Sequence, residues 1–258
     1  MITSTANQKV KELVQLQKKS RARNQAGVFT VEGIRMVREI PKDRLEKLYM
    51  TEEFYNKYKC ELPERCIEMV SPQVFSYISD TKTPQGVLAV VRRRRWSEKE
   101  IYGDGQAHIL VLDNLQDPGN LGTIFRTAEA AGVTGLILSS DCVDIYNPKT
   151  IRSTMGAVFR MPFIYVENLP DAIAELKKTG VKVFASHLEG KNAYDRESYL
   201  GKTAFLIGNE GNGLRREVAD CADVWIRIPM AGSAESLNAA VAASVLMFEV
   251  SRQRRRQG

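Results

Sequence analysis

The chain has 258 residues, 43% hydrophobic and 26% charged, with a formal net charge of +6. That length and balance suit one large or two ordinary globular domains, two being the better reading, and exclude a disordered or fibrous chain. No apolar run approaches membrane-spanning length, so no membrane partner is expected, and the N-terminus lacks the apolar stretch and cleavage site of a secretory signal, which points to the cytoplasm.

In chain order, Val10, Leu13, Val14 and Leu16 recur at helical spacing among Lys and Gln. This predicts an amphipathic helix over 7–19, followed by a polar break over 20–26. Residues 28–33 read as a strand ended by Gly33, and Ile34, Val37, Arg38 and Ile40 as a helix after it. Further strands are expected at 48–50, 68–70 and 86–91. Together they make a small α/β/α domain of about 65 residues within a region spanning 1–98, its first 26 residues a basic helical extension. Residues 96–106, charged and containing Gly103 and Gly105, read as a linker.

From 107 to 258 the pattern alternates. Strands are expected at 109–113, 135–139, 163–166, 182–187, 204–208 and 224–228, and helices at 120–131, 148–157, 169–179, 213–219 and 236–251. Such alternation is the signature of an α/β fold with a mostly parallel sheet and helices on both faces. The last helix is the best defined, since Leu237, Ala240, Val241, Ser244, Val245 and Phe248 form one small-to-apolar face.

The charge is unevenly spread. Residues 1–100 hold 20 Lys plus Arg against 13 Asp plus Glu, a net of +7, and residues 101–258 hold 17 against 18, a net of −1. Three clusters stand out: Lys9, Lys11, Lys18, Lys19, Arg21 and Arg23; Arg92 to Arg95; and Arg252, Arg254, Arg255 and Arg256. Clustered cations gain affinity by displacing counterions from a phosphate backbone, so a polyanion partner is implied. Cys60, Cys66, Cys142 and Cys221 form no CxxC pair and have no His at metal-ligand spacing, so neither a metal site nor a disulfide framework is expected. All four read as buried or half-buried thiols, and His108 and His187 as packing residues.

Three segments have the chemistry of ligand-binding loops, each between an aliphatic run and a helical pattern. In residues 113–122, Pro118 and Gly119 make a turn, Asn120 is suited to cap the next helix, and Arg126 is placed to swing a planar guanidinium back towards the loop. In residues 208–213, Gly208, Gly211 and Gly213 allow close backbone approach around the Glu210 carboxylate, at a spacing that is not the GxGxxG dinucleotide fingerprint. In residues 228–238, Ile228, Pro229 and Met230 offer an apolar wall for a flat base, and Ser233, Ser236 and Asn238 supply polar or capping groups at the start of the last helix. All three are expected to leave one edge of the sheet and build one pocket.

This trio resembles the SpoU, or TrmH, family of RNA ribose 2′-O-methyltransferases of the SPOUT superfamily, over about 150 residues from Ile109 onward. Residues 27–33 and 84–90 are similar to that family's substrate-binding domain, which is like ribosomal protein L30e. The resemblance implies S-adenosylmethionine bound between the second and third loops, with Gly208, Ile228 and Leu237 contacting it beside the Met230 wall. It further implies Glu210, Ser236 and Asn238 ordering the site, Asn120 and Arg126 facing RNA, a C-terminal trefoil knot, and a homodimer whose site spans both subunits. Ribosomal RNA is favoured over transfer RNA as substrate. One departure is Ala239-Ala240 after Asn238, where the family usually has Val-Ser. The family's arginine matching Arg126 is often described as a general base. A guanidinium holds its proton too tightly for that, so stabilisation of the developing alkoxide is the expected role. The alternative is a non-catalytic RNA-binding or ribosome-assembly protein that keeps the fold.

Overall fold

The computed structural model describes residues 1–62, 66–103 and 105–256. They form two compact units, Met1–Arg94 with Asp144–Phe159, and Arg95–Val143 with Arg160–Gly258.

The first unit opens with α1 (Gln8–Lys18), capped by the Asn7 side chain, which accepts from the Lys9 N–H at 2.9 Å. The expected polar break is instead a second helix, α2 (Ser20–Ala26), ended by Gly27 at φ 67°. It shows no apolar stripe because its buried residue is Arg23, whose guanidinium donates to the Leu16 and Gln17 carbonyls and to Asp144. There follow β1 (Val28–Glu32), α3 (Ile34–Arg38), β2 (Leu45–Met50), α4 (Glu52–Tyr58), β3 (Ile67–Met69), α5 (Pro72–Ile78) and β4 (Val87–Arg92). The sheet order is β1-β4-β2-β3, with β4 antiparallel to both neighbours and β2 parallel to β3. Strand alternation gathers Tyr49 and Leu88 with Val10 and Leu13 of α1 and Val74, Phe75 and Ile78 of α5 into one apolar cluster.

The second unit begins inside the expected linker, where α6 (Glu98–Tyr102) forms behind a Ser97–Glu100 capping box and buries Ile101 completely. After β5 (His108–Leu112), α7 (Pro118–Ala131) and β6 (Gly135–Ser139) comes the segment 144–159, which carries α8 (Pro148–Thr154) and belongs to the first unit. Its place there departs from the sequence expectation and follows from packing: Tyr146 lies 4.6 Å from Phe29, Phe159 lies 6.2 Å from the same ring, and Arg93 sits 4.2 Å over Tyr146. The second unit resumes with β7 (Phe163–Val166), α9 (Leu169–Lys178), β8 (Lys182–Ser186), β9 (Asn192–Ala193), β10 (Thr203–Ile207), α10 (Arg216–Ala219), β11 (Val224–Arg227) and α11 (Ala239–Arg255).

Its sheet, seven-stranded among the described residues, runs β7-β6-β5-β10-β8-β11-β9 with every pair parallel. β5, β6 and β10 are buried at every position, as strands covered on both faces must be. On one face Ile109, Val111, Val183, Ala204 and Leu206 pack with Ile173 and Leu176 of α9. Because the strands are parallel, their carboxyl ends share one edge. No helix among the described residues is long and apolar enough to cross a membrane.

Much of the basic excess is used internally. Lys9 pairs with Glu68 and Arg92 with Glu46, while Arg252 pairs with Glu249. Arg254 donates to the carbonyls of Gln106, Ala107, Tyr199 and Gly201 and so anchors the end of α11. Lys11, Lys18, Lys19 and Arg21 remain exposed, with no ion pair among the described residues. Two thiols differ from expectation: Cys60 and Cys66 are exposed, Cys60 lying in a turn after α4 that buries nothing.

His108 is 1% exposed, its Nε2 has no hydrogen-bond partner among the described residues, and it meets Phe205 edge-on at 6.3 Å. Burial, with Arg254 adding to it, pushes its pKa from 6.5 down to about 3, so the folded protein keeps the ring neutral. The unfolded chain takes up a proton that the folded chain refuses, so stability is full above the ordinary imidazole pKa and declines as pH falls towards the depressed value. Between pH 7 and pH 5 the loss from this residue is about 2 kcal/mol. Urea unfolding at the two pH values should show a shallower decline for His108→Phe. Equal declines in both proteins would remove His108 as the cause.

Candidate functional site

α7 starts at Pro118, earlier than the Asn120 start expected, because Asp117 is the cap: its side chain accepts from the Asn120 N–H at 2.8 Å. Asn120 therefore sits within the first turn and its amide is free to reach across loops. Its Nδ2 donates to Glu210 Oε1 at 3.0 Å, and its Oδ1 accepts from Asn238 Nδ2 at 2.9 Å. Asn238, rather than Ser233 or Ser236, caps α11, accepting from the N–H groups of Ala240 at 2.9 Å and Val241 at 3.3 Å. Residues from all three loops thus join in one directional chain of hydrogen bonds.

Glu210 is the hub. Its carboxylate also accepts from the backbone N–H groups of Gln116 at 3.2 Å and Asp117 at 3.1 Å. Burial alone would raise its pKa, but the Asn120 amide and these backbone donors outweigh that and hold it below the usual carboxylate range. The group stays ionised and has its acceptor sites occupied, which suits a fixed negative charge better than a proton acceptor.

The second loop is braced by its own backbone. Asn209 and Gly213 exchange N–H to carbonyl bonds at 2.9 and 3.0 Å, and Asn209 Oδ1 accepts from Gly211 and Asn212. A Cβ on Gly208 would come within 2.2 Å of the backbone of Gly213 and Leu214, so only glycine fits there. Beneath it the fully buried Asp113, at the end of β5, accepts from the Arg215 backbone N–H at 2.9 Å and its Nε at 2.8 Å, and pairs with its terminal nitrogen as well. Arg215 also reaches Asp141 at 3.3 Å, and Asn209 Nδ2 donates to the Asn114 carbonyl at 2.7 Å.

At the carboxyl edge of β8, β10 and β11 the second and third loops border a cleft of about 260 Å³, and the first loop, expected to share in it, contributes no lining residue. Gly208, Glu210, Ile228, Met230, Ser236 and Leu237 line it. Arg126 does not: it is exposed on α7 and makes no hydrogen bond or ion pair among the described residues. Ala239 and Ala240 are buried in the first turn of α11, and the Asn238 cap uses backbone N–H groups that any residue there would supply.

A family model described as the SpoU rRNA Methylase family matches residues 107–248, and one described as an MRM3-like substrate binding domain matches residues 7–89. The chain belongs to the SpoU rRNA methylase family. It is 35% identical, over 96% of its length and 98% of the relative's, to the 23S rRNA (guanosine(2553)-2′-O)-methyltransferase RlmP of Bacillus subtilis. The AdoMet-bound rRNA methyltransferase from Sinorhizobium meliloti superposes with a TM-score of 0.85 at 31% identity, covering 97% of each chain. The SpoU methyltransferase AviRb from Streptomyces viridochromogenes, in complex with AdoMet, superposes with a TM-score of 0.85 at 26% identity, over 96% of this chain and 98% of that one.

The lining of this SpoU-family cleft fits S-adenosylmethionine chemically. Ile207, Leu188, Ile228, Met230 and Leu237 give apolar walls for a flat base, and the ionised Glu210 among the lining residues gives the cleft a negative charge suited to a cationic ligand. Sequence reasoning missed Asp113 and Arg215 as a pair, because 102 residues separate them. It also missed Ser186, His187 and Leu188, which line the cleft from the end of β8.

Proposed function

We propose that the protein transfers a methyl group from S-adenosylmethionine to a ribose 2′-hydroxyl of ribosomal RNA. The observation that carries this reading is the Glu210–Asn120–Asn238 hydrogen-bond chain, which meets the cleft at Glu210, in a chain of this family. When bound, the cofactor supplies an electrophilic methyl group on a positively charged sulfur. Gly208, Ile228, Met230 and Leu237 would hold it, while Glu210, Ser236 and Asn238 would order the loops around it. Asn120 and Arg126 face the RNA. That methyl group would go to the ribose oxygen with the sulfur leaving as a neutral thioether, and the hydroxyl proton would pass to a phosphate oxygen or water. Arg126 stabilises the developing alkoxide through its planar, permanently charged fork. Alignment of oxygen, carbon and sulfur supplies much of the acceleration. The test is twofold: calorimetry for S-adenosylmethionine binding, and mapping of 2′-O-methyl sites in ribosomal RNA from cells with and without the protein. RNA binding without cofactor affinity would leave a non-catalytic RNA-binding protein.

The active species in this reading is a homodimer. Val241 and Phe248 of α11 are 49% and 44% exposed, with Val245 between them, a row of apolar side chains left facing solvent on one helix. Arg126, whose side chain has no partner among the described residues, is the residue a second subunit would bring into use. Phe248→Glu is expected to give monomers by sedimentation velocity and to lose most methyl transfer. An active monomer would refute the dimeric site.

RNA docking is assigned to the first unit through Lys11, Lys18, Lys19 and Arg21. Replacing Lys18, Lys19 and Arg21 with Gln should lower RNA affinity and reduce the slope of log affinity against log salt by about 2 to 3, with S-adenosylmethionine affinity unchanged. A filter-binding titration over salt checks this, and an unaltered slope would put the RNA elsewhere.

A further inference from the structure

The end of β8 contributes a wall to the cleft that none of the three loops provides. His187 lines the cleft beside Ser186 and Leu188, and its position is closely determined. Its backbone N–H donates to Ile226 at 2.9 Å, and its carbonyl accepts from Gly190 at 3.0 Å. A side chain on Gly190 is impossible without movement, since a Cβ would lie 2.4 Å from the Ile226 carbonyl carbon. The turn over residues 187–190 is therefore pinned against β11.

The imidazole is held as firmly as its backbone. Nδ1 accepts the Glu189 N–H at 3.1 Å, and the ring lies 4.3 Å from the Trp225 ring at 39°. Trp225 is itself fixed, its Nε1 donating to the Ala219 carbonyl at 2.8 Å and the Arg216 guanidinium sitting 4.8 Å from its ring. With Nδ1 serving as an acceptor, the donor of the ring is its Nε2–H. His187, a lining residue, thus carries on a rigid support a ring N–H that no other described contact consumes, and Leu188, 68% exposed, lines the cleft next to it.

We propose that His187 is a cofactor-recognition residue, its Nε2–H donating to an acceptor atom of the adenosyl group while Leu188 covers that group from the rim. The assignment rests on the reading of this cleft as the S-adenosylmethionine site. Preorganisation makes the contact worthwhile, because the ring is already ordered before the ligand arrives. It also gives the site a discriminating element that the glycine-rich loop, built from backbone, lacks.

The experiment is calorimetric titration of the full-length protein with S-adenosylmethionine and, separately, with S-adenosylhomocysteine. His187→Phe keeps a ring against Trp225 and removes the donor, so both ligands should bind about tenfold more weakly, the value of one hydrogen bond. Equal loss for both is required, because they share the adenosyl group and differ at the sulfur. His187→Gln, which restores an N–H donor, should recover most of the affinity. In turnover assays His187→Phe should raise KM for S-adenosylmethionine with kcat little changed, a split that a general loosening of the fold would not produce. Wild-type affinity in His187→Phe, or weakening towards one ligand alone, would overturn the assignment. Failure of the unmodified protein to bind either ligand would instead overturn the cofactor reading, and the role of His187 with it.

Discussion

Asn120→Ala is expected to lower the turnover number about 100-fold while weakening S-adenosylmethionine binding far less. Asn120 contributes nothing to the cofactor cleft itself, whose lining comes from the ends of β8, β10 and β11 and from the second and third loops. What it supplies is the tie between Glu210 and Asn238, donating to one at 3.0 Å and accepting from the other at 2.9 Å. Without it the Asn238 amide loses its acceptor and the third loop is free to drift from the other two, which stay joined through the Gln116 and Asp117 N–H groups on Glu210. A displacement of about 1 Å between bound reactants suffices for a 100-fold loss. Asn120→Asp sharpens the test, since it preserves volume but sets a second carboxylate against Glu210, and it should be at least as inactive. Single-turnover methyl transfer, measured alongside calorimetry, separates the two effects. Normal turnover in Asn120→Ala would mean that this tie does not govern the geometry of the reaction.

How much of this was legible in the sequence depends on the range of the interaction involved. The strands of the second unit announce themselves as aliphatic runs because strands buried on both faces need apolar residues at every position. The three loops were visible for a similar local reason: glycine, proline and asparagine are needed where chains turn and helices are capped. Their meeting at one sheet edge follows from parallel strands. The capping pattern at Asn120 was misread by one alternative, because Asp117 followed by Pro118 is an equally good start and leaves Asn120 available for a longer reach.

Other features had no local signal. The sequence of α2 reads as a break because its buried face is a single arginine, and an arginine can be an interior residue only when carbonyls and a carboxylate await it. The segment 144–159 lies in sequence inside the methyltransferase region, and only the packing of Tyr146 and Phe159 on Phe29 assigns it to the first unit. Arg254 looked like part of a basic tail, yet it is spent on four carbonyls. Charge counting treats all cations as available, whereas folding sorts them into those that are paired and those still facing solvent.

Arg215→Ala is expected to cost the second unit about 3 kcal/mol of stability. The reason lies in an asymmetry between the partners. Asp113 is 0% exposed, whereas the Arg215 side chain is 42% exposed. Removing the arginine side chain leaves a buried carboxylate with the backbone N–H of residue 215 as its one remaining described donor. Removing the acid charge instead leaves a guanidinium that can turn to water or to Asp141, 3.3 Å away. Asp113→Asn should therefore be milder than Arg215→Ala, and the double substitution should be more stable than Arg215→Ala alone, because it removes the stranded charge. The same pair joins the end of β5 to the segment following the glycine-rich loop, so Arg215→Ala should also weaken cofactor binding, and restoring stability through Asn at 113 should recover only part of that affinity. Urea denaturation of the three variants, paired with calorimetry, reads both effects. If the double substitution is the least stable of the three, the pair is not held together by the burial of Asp113.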